Sequence, residues 1–179
     1  MSETRIWRPG GFIADDPWHI ADANDVPTAI AADARLIVPM QTYLELEPED
    51  RQQDKTAVIA APDDDVGKLE QHFANLALIA LTFPAFNDGR AFSQASLLRS
   101  RLGYRGELRA TGDVLIDQVP LMQRCGIDSF SITNATAIRR LEEGRLPGIT
   151  AYYQPAAAPS RATGTYAWRH VEAPATDPA

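Results

Sequence analysis

Short apolar runs recur along the middle of the chain and are separated by longer amphipathic stretches. Runs of this length, bounded by proline, glycine or acidic residues, are typical of strands that a parallel sheet buries on both faces. Five such runs predict strands, at residues 36–38 (LIV), 57–61 (AVIAA), 77–83 (ALIALTF), 106–111 (GELRAT) and 127–132 (IDSFSI).

The stretches between these runs predict helices, because their apolar residues recur at helical spacing. Asp63 to Asp65 and Asn134 are suited to cap two of them, since short polar side chains accept hydrogen bonds from free helix amides. Pro120 lies inside the fourth helix, which therefore either kinks there or consists of two short pieces. The predicted helices cover residues 40–46, 66–76, 91–103, 114–126 and 135–143.

This alternation predicts an α/β fold of βα units with a mainly parallel sheet, all strands ending at one edge. The pattern leaves open whether the sheet stays flat or curls into a partial (β/α) barrel. Residues 1–35 have little periodicity and are expected to form an irregular N-terminal segment, in which residues 5–8 (RIWR) are a candidate short strand. Residues 36–153 are expected to form a single α/β domain, and the Pro/Ala-rich residues 154–179 a flexible, disordered tail.

Composition narrows the functional classes. A net charge of −7 argues against a nucleic-acid-binding surface. With no apolar run of about 18 residues and no export signal, we expect neither membrane association nor secretion. Cys125 is the only cysteine, which fits the reducing cytoplasm, and the three histidines are far apart, so we expect no metal site. No nucleotide fingerprint is present, so no cofactor is evident.

One stretch departs from the acidic character of the chain. Residues 83–112 contain five arginines and two carboxylates, a charge of +3 that leaves −10 for the remainder. Arg99 and Arg101 lie on the polar face of a predicted helix, where we expect solvent, and Arg105 lies in a turn.

The other two arginines are the candidate anion ligands, because ligands of parallel α/β proteins bind where the strands end. Gly89 permits a tight turn after the third strand, and Arg90 can then bind an anion with two N–H groups at the N-terminus of the next helix. The alternative is that Asn-Asp-Gly forms an ordinary turn and that Arg90 is a solvated residue of the first helical turn. Arg109 lies inside a strand and needs either a ligand or a carboxylate partner, for which Asp88, Asp113 and Glu107 are available. We expect Arg90 and Arg109 to meet one anion.

The segment FPAFNDGRAFSQASLLRSRLGYRGELRATGDVLIDQVPLMQRCGIDSF resembles the signature region of domain-of-unknown-function family 934. The resemblance is close over about 50 residues and extends weakly over residues 36 to 154. Members are labelled as oxidoreductases of sulfite reduction, which implies a pathway more firmly than a reaction. The residues that match the motif are Asp88, Gly89, Arg90, Ser93, Arg99, Arg109, Gly112, Asp113, Asp117 and Gln118.

Three functional hypotheses follow. The first is a cytoplasmic accessory protein of assimilatory sulfite reduction, which binds the haem-containing sulfite reductase or a small oxyanion held by Gly89, Arg90, Ser93 and Arg109. The second is an enzyme on a barrel-like scaffold that acts on an anionic metabolite, with Asp88 or Asp113 as acid/base. The third is a non-catalytic interaction module whose arginines are structural.

Overall fold

The computed structural model describes residues 4–21, 34–52 and 54–147. Eight strands form a single sheet in the order β2-β1-β8-β7-β6-β5-β4-β3. The strands are β1 (Arg5–Arg8), β2 (Gly11–Phe12), β3 (Trp18–Ile20), β4 (Arg35–Pro39), β5 (Thr56–Ala60), β6 (Leu78–Phe83), β7 (Glu107–Gly112) and β8 (Ser129–Ile132).

The sheet is mixed, which corrects the expectation of a mainly parallel sheet. Strands β3 to β8 pair in parallel, and these include the five predicted from apolar runs. Strand β1 pairs antiparallel with both β2 and β8. Residues 5–20, expected to be irregular apart from the candidate strand at residues 5–8, thus contribute three strands to the sheet, and β1 confirms that candidate.

The sheet curls into a half-barrel, and the chain itself explains why. Strands β2 and β3 lie at opposite edges of the sheet, yet only residues 13–17 join them. A flat sheet of eight strands is about 34 Å wide, since neighbouring strands lie about 4.8 Å apart. The six Cα steps from Phe12 to Trp18 span about 21 Å at most. We call residues 13–17 the strap, because they draw the two edges together.

Helices cover the convex outer face of the sheet. Alternate strand residues, such as Val58, Ile79, Leu81 and Leu108, are buried there in the main hydrophobic core. The helices are α1 (Met40–Glu45), two 3₁₀ helices (Pro48–Asp50 and Val66–Asn75), α2 (Arg90–Ser96), which continues as a π-helical turn (Leu97–Arg101), α3 (Val119–Arg124) and α4 (Ala135–Glu142).

Three helix predictions are refined by proline and capping chemistry. Asn134 caps α4 as predicted, its side chain accepting from the amides of Thr136 and Ala137 at 2.9 and 3.0 Å. The helix predicted over residues 114–126 begins only at Val119, so that Pro120 occupies its first turn, where its missing N–H has no cost. Asp65 caps the segment that follows it, but that segment is a 3₁₀ helix.

The predicted C-terminal tail, residues 154–179, lies outside the described residues. Among the helices of the described residues, none is long and apolar enough to cross a membrane.

Candidate functional site

Arg90 begins α2 at the edge of the sheet where the parallel strands end, and it is held by two carboxylates. Its Nη2 and Nε lie 2.6 and 3.0 Å from the Oδ2 and Oδ1 of Asp88, whose Oδ1 also accepts from the Arg90 amide at 3.1 Å. Its Nη1 donates to Asp63, on the loop after β5. The Arg90 side chain is 52% exposed and that of Asp63 86%. This exposed arrangement satisfies the guanidinium from within the chain.

The same contacts make Asp88 a stronger acid than an ordinary aspartic acid. Hydrogen bonds from the Arg90 side chain, then from its amide, lower the pKa of Asp88 to about 2. A general acid or base works best when its pKa is close to the working pH. Asp88 is therefore ionised at neutral pH and is a weak base, so the arrangement favours a structural role over proton transfer.

The other candidates at this edge lie apart from one another. Gly89 has φ −89° and ψ 0°, which any residue adopts, and a Cβ there would meet nothing within 4 Å. Ser93 lies one turn further along α2 and lines an outer groove that also contains Cys125, which is half-buried. Asp113 is exposed, and its amide donates to Phe83 O at 2.7 Å. It caps no helix, since α3 begins six residues later.

Taken together, this edge is acidic. The loops after β5, β6 and β7 (residues 61–65, 84–90 and 112–118) contain six aspartates and one arginine, a formal charge of −5. Phe86 projects from the middle loop with 61% of its surface exposed. The loops contact one another, since Gln118 Nε2 donates to Phe86 O at 3.2 Å and Arg90 bridges to Asp63. We call these three loops and Phe86 the acidic edge.

Arg109 has quite different surroundings. It lies on β7, facing the concave side of the half-barrel, and its side chain is only 3% exposed. Its Nη1 and Nη2 lie 2.6 and 3.0 Å from the two carboxylate oxygens of Asp16 on the strap. Nη2 also donates to Glu107 Oε1 at 3.0 Å, and Nε lies 3.3 Å from Ser129 Oγ. Of the two alternatives for Arg109, a ligand or a carboxylate partner, the structure shows carboxylate partners, and of the three predicted candidates Glu107 is one of them.

The structure does not bring Arg90 and Arg109 together. In the described ranges they share no hydrogen-bonding partner, and the cavity that Arg109 lines contains neither Arg90 nor Asp88 nor Asp113. A parallel strand alternates its side chains between faces, and position 109 projects into the half-barrel rather than out of its end. The observed geometry therefore does not favour one anion held by both arginines.

The prediction that Arg99 is solvated is wrong. Its side chain is 11% exposed, and its guanidinium donates to the carbonyl oxygens of Gly126, Tyr104 and Gly106, each at 2.8 Å. It also pairs with Asp128. Arg99 thus ties the loop before β7 to the loop before β8. Arg101 and Arg105 are exposed, so the prediction for Arg101 is confirmed.

Sequence reasoning missed two residues. Asp16 lies 93 positions from Arg109, in a segment without periodicity, and its only signal was an acidic pair inside the apolar stretch GGFIADDPWHI. Phe86 lay within the quoted motif, and its signal was an aromatic residue in a turn after Pro84.

Among the described residues, no three of His, Cys, Asp and Glu lie close enough together to hold a metal ion. Residues 57–163 match the model of the family described as bacterial protein of unknown function, DUF934. The chain belongs to this family. The match covers β5 from its second residue onward and all of β6 to β8. It also includes Arg90, Arg109 and their carboxylate partners, with the exception of Asp16. Comparison with curated proteins and comparison with solved structures each give no match.

Proposed function

We propose that the protein is a non-catalytic accessory protein of sulfite reduction in the cytoplasm, and that it docks on the haem-containing sulfite reductase through the acidic edge. The observation that carries the docking surface is Phe86, a large apolar side chain 61% exposed among six aspartates. The pathway comes from the label that the family resemblance carries.

The charge of the edge selects the partner. Steering by charge raises association rates when a negative surface meets a positive one, and like charges exclude wrong partners. An aromatic side chain that fills a pocket at the centre of an interface is a typical binding hot spot. The complementary surface on the reductase is therefore basic, with an apolar pocket that receives Phe86.

The arginines support an interaction module rather than an enzyme. Arg90, Arg99 and Arg109 each bind carboxylates or carbonyls of the same chain. Asp88 and Asp113, the candidate acid/base residues, lie outside the cavity that Arg109 lines. The convergence of acidic and basic groups that catalysis on an anionic metabolite requires is thus not supported.

An oxyanion at this edge has weaker support than a protein partner. Sulfite would approach five net negative charges, and it would have to displace Asp63 or Asp88 from Arg90. A thermal shift with millimolar sulfite, sulfate and phosphate separates the two ideas. We expect no stabilisation by these anions beyond that given by chloride at matched ionic strength.

Docking is tested by biolayer interferometry with the full-length chain immobilised and the purified reductase in solution. We expect Phe86→Ala to weaken binding about tenfold or more, the loss typical of a central aromatic anchor. Asp113→Asn with Asp117→Asn should slow association, and added salt should reduce the difference from the wild type.

Arg101→Gln is the matched control, because it removes an exposed charge on α2's π-helical extension, away from the edge. Arg90→Ala should bind at least as well as the wild type, since it makes the edge more acidic. Absence of wild-type binding at micromolar reductase, or full binding by Phe86→Ala, would contradict the proposal.

A further inference from the structure

The concave face of the half-barrel encloses a cavity of about 580 Å³ beneath the strap. Pockets for small metabolites usually have volumes of about 300–1,000 Å³, with mainly apolar walls and a few placed polar groups. This cavity is separate from the acidic edge, since none of the loop residues 61–65, 84–90 or 112–118 lines it.

One end of the cavity is polar. Thr111 of β7 and Ser131 of β8 line it beside the Arg109–Asp16 pair. Thr111 is more than nine-tenths buried, and its hydroxyl makes no hydrogen bond within the described part of the chain. Its oxygen is not fully buried, so a ligand in the cavity that Thr111 lines can supply the missing hydrogen bond. The Arg109 guanidinium likewise keeps one N–H of Nη1 beyond its contact with Asp16.

The other end is apolar. Ala80 of β6, Ile37 of β4 and Ile20 of β3 project into the half-barrel from three strands of the sheet, and Trp18 lines the wall next to them. The sheet register places Ala80 directly opposite Arg109. A ligand here thus contacts hydroxyls and the ion pair at one end and aliphatic and indole surfaces at the other.

The charges around the cavity cancel. Each arginine has a carboxylate partner, in the pairs Arg109–Asp16, Arg8–Glu107 and Arg5–Glu142. Among the residues that line the cavity, an anionic ligand would meet Asp16, and a cationic one would meet Arg5 and Arg109. A buried charge without its own partner is unfavourable in either case.

We propose that this cavity is a binding site for a small uncharged molecule with a hydroxyl- or amide-bearing head and an apolar body. The head bonds to Thr111, Ser131 and the free N–H of Arg109, and the body packs on Ala80, Ile37 and Trp18. The site is independent of the docking surface, because Phe86 and the aspartates of the edge contribute nothing to it.

The test uses three probes of one shape and different charge: 2-phenylacetamide, phenylacetate and 2-phenylethylamine. Each is titrated to millimolar concentration into the ¹⁵N-labelled full chain, and amide shifts are followed at Ile37, Ala80 and Thr111. The neutral probe, 2-phenylacetamide, should shift these backbone signals. It should bind at least about fivefold more tightly than either charged probe, a difference that corresponds to one net hydrogen bond. No shifts with any probe, or tighter binding of a charged one, would overturn the proposal.

Two variants and a control locate the site. Ala80→Leu fills the apolar end and should abolish the shifts. Thr111→Val keeps the side-chain shape, removes the hydroxyl and should weaken binding about fivefold, which keeps the test decisive if Ala80→Leu does not fold. Thr82→Val is the matched control, since Thr82 pairs with Thr111 in register but does not line the cavity. Equal weakening by Thr82→Val and Thr111→Val would refute the assignment.

Discussion

Arg90 and Arg109 have the same kinds of partner and opposite surroundings. Each guanidinium binds two carboxylates, but Arg90 is 52% exposed at the acidic edge, whereas Arg109 is 3% exposed beneath the strap. Exposed ion pairs contribute little to stability because water and salt screen them. Removing one member of a buried ion pair strongly destabilises the folded protein, because the other member remains buried as an uncompensated charge. The same residue type therefore shapes the surface in one place and closes the fold in the other.

The largest expected effect is at Arg109. Arg109→Met keeps the length of the side chain and leaves Asp16 and Glu107 without their cation, so it should lower the free energy of unfolding by about 3–5 kcal/mol. Urea denaturation measures the change. Arg101→Met, at an exposed position, is the control and should change stability by less than about 0.5 kcal/mol. Equal values for the two variants would remove the distinction between buried and exposed arginines.

Arg99 should behave like Arg109 despite its position on a helical turn. Arg99→Met leaves three loop carbonyls without their donor, and we expect a loss of about 2–4 kcal/mol in the same denaturation experiment. The loss should come with faster amide exchange at Gly106 and Gly126, whose carbonyls Arg99 holds. If the variant is as stable as the wild type, the buried contacts of Arg99 contribute nothing, and the original prediction of a solvated Arg99 would be correct.

Two glycines extend the comparison to the backbone. Gly112 has φ +92°, and a Cβ there would lie 2.4 Å from Phe83 O, so Gly112→Ala should destabilise by about 1–3 kcal/mol. Gly89→Ala should leave stability unchanged or raise it by up to about 1 kcal/mol, because alanine adopts the backbone conformation of Gly89 without strain and has fewer conformations in the unfolded chain. Thermal unfolding of the pair measures the difference, and a reversed order would contradict the geometry.

The smallest effect is a titration at the acidic edge. Asp88 should titrate near pH 2, against an ordinary value near 3.8, when its carboxyl carbon is followed by NMR. Because the folded pKa is depressed, the stabilisation is present above the ordinary pKa and is lost as the pH falls through about 2. The contribution of Asp88 to stability should therefore be constant between pH 5 and 8. Arg90→Gln should raise the pKa of Asp88 but not fully to its ordinary value, because the amide of residue 90 still donates to the carboxylate. An unchanged pKa would assign the shift to another cause.

The sequence predicted what local pattern controls. Strands β4 to β6 are largely continuous apolar runs, and β7 and β8 are short runs bounded by turn residues, so all five were predicted. Asn134 caps its helix through neighbouring amides, and that prediction was also confirmed. Strand β1 matches the candidate RIWR, whereas β2 and β3 have only two and three residues, and periodicity cannot detect segments so short.

The site was harder to predict because its contacts are long-range. Helical spacing correctly predicted a polar face for Arg99, but the loops at Gly106 and Gly126 fold over that face. The prediction for Arg109 left a ligand and a carboxylate partner as equal alternatives, and its bidentate carboxylate partner comes from the strap, which reaches it only because the sheet curls. The +3 charge of residues 83–112 therefore balances carboxylates elsewhere in the chain.

A double-mutant cycle on Asp16→Asn and Arg109→Met tests most directly whether this arginine closes the half-barrel. Contacting residues couple, whereas distant ones add within about 0.5 kcal/mol. We predict a coupling free energy of at least about 1 kcal/mol in urea unfolding, and no resolvable coupling for Asp63→Asn with Arg90→Gln. Additive losses at Asp16 and Arg109 would contradict the account.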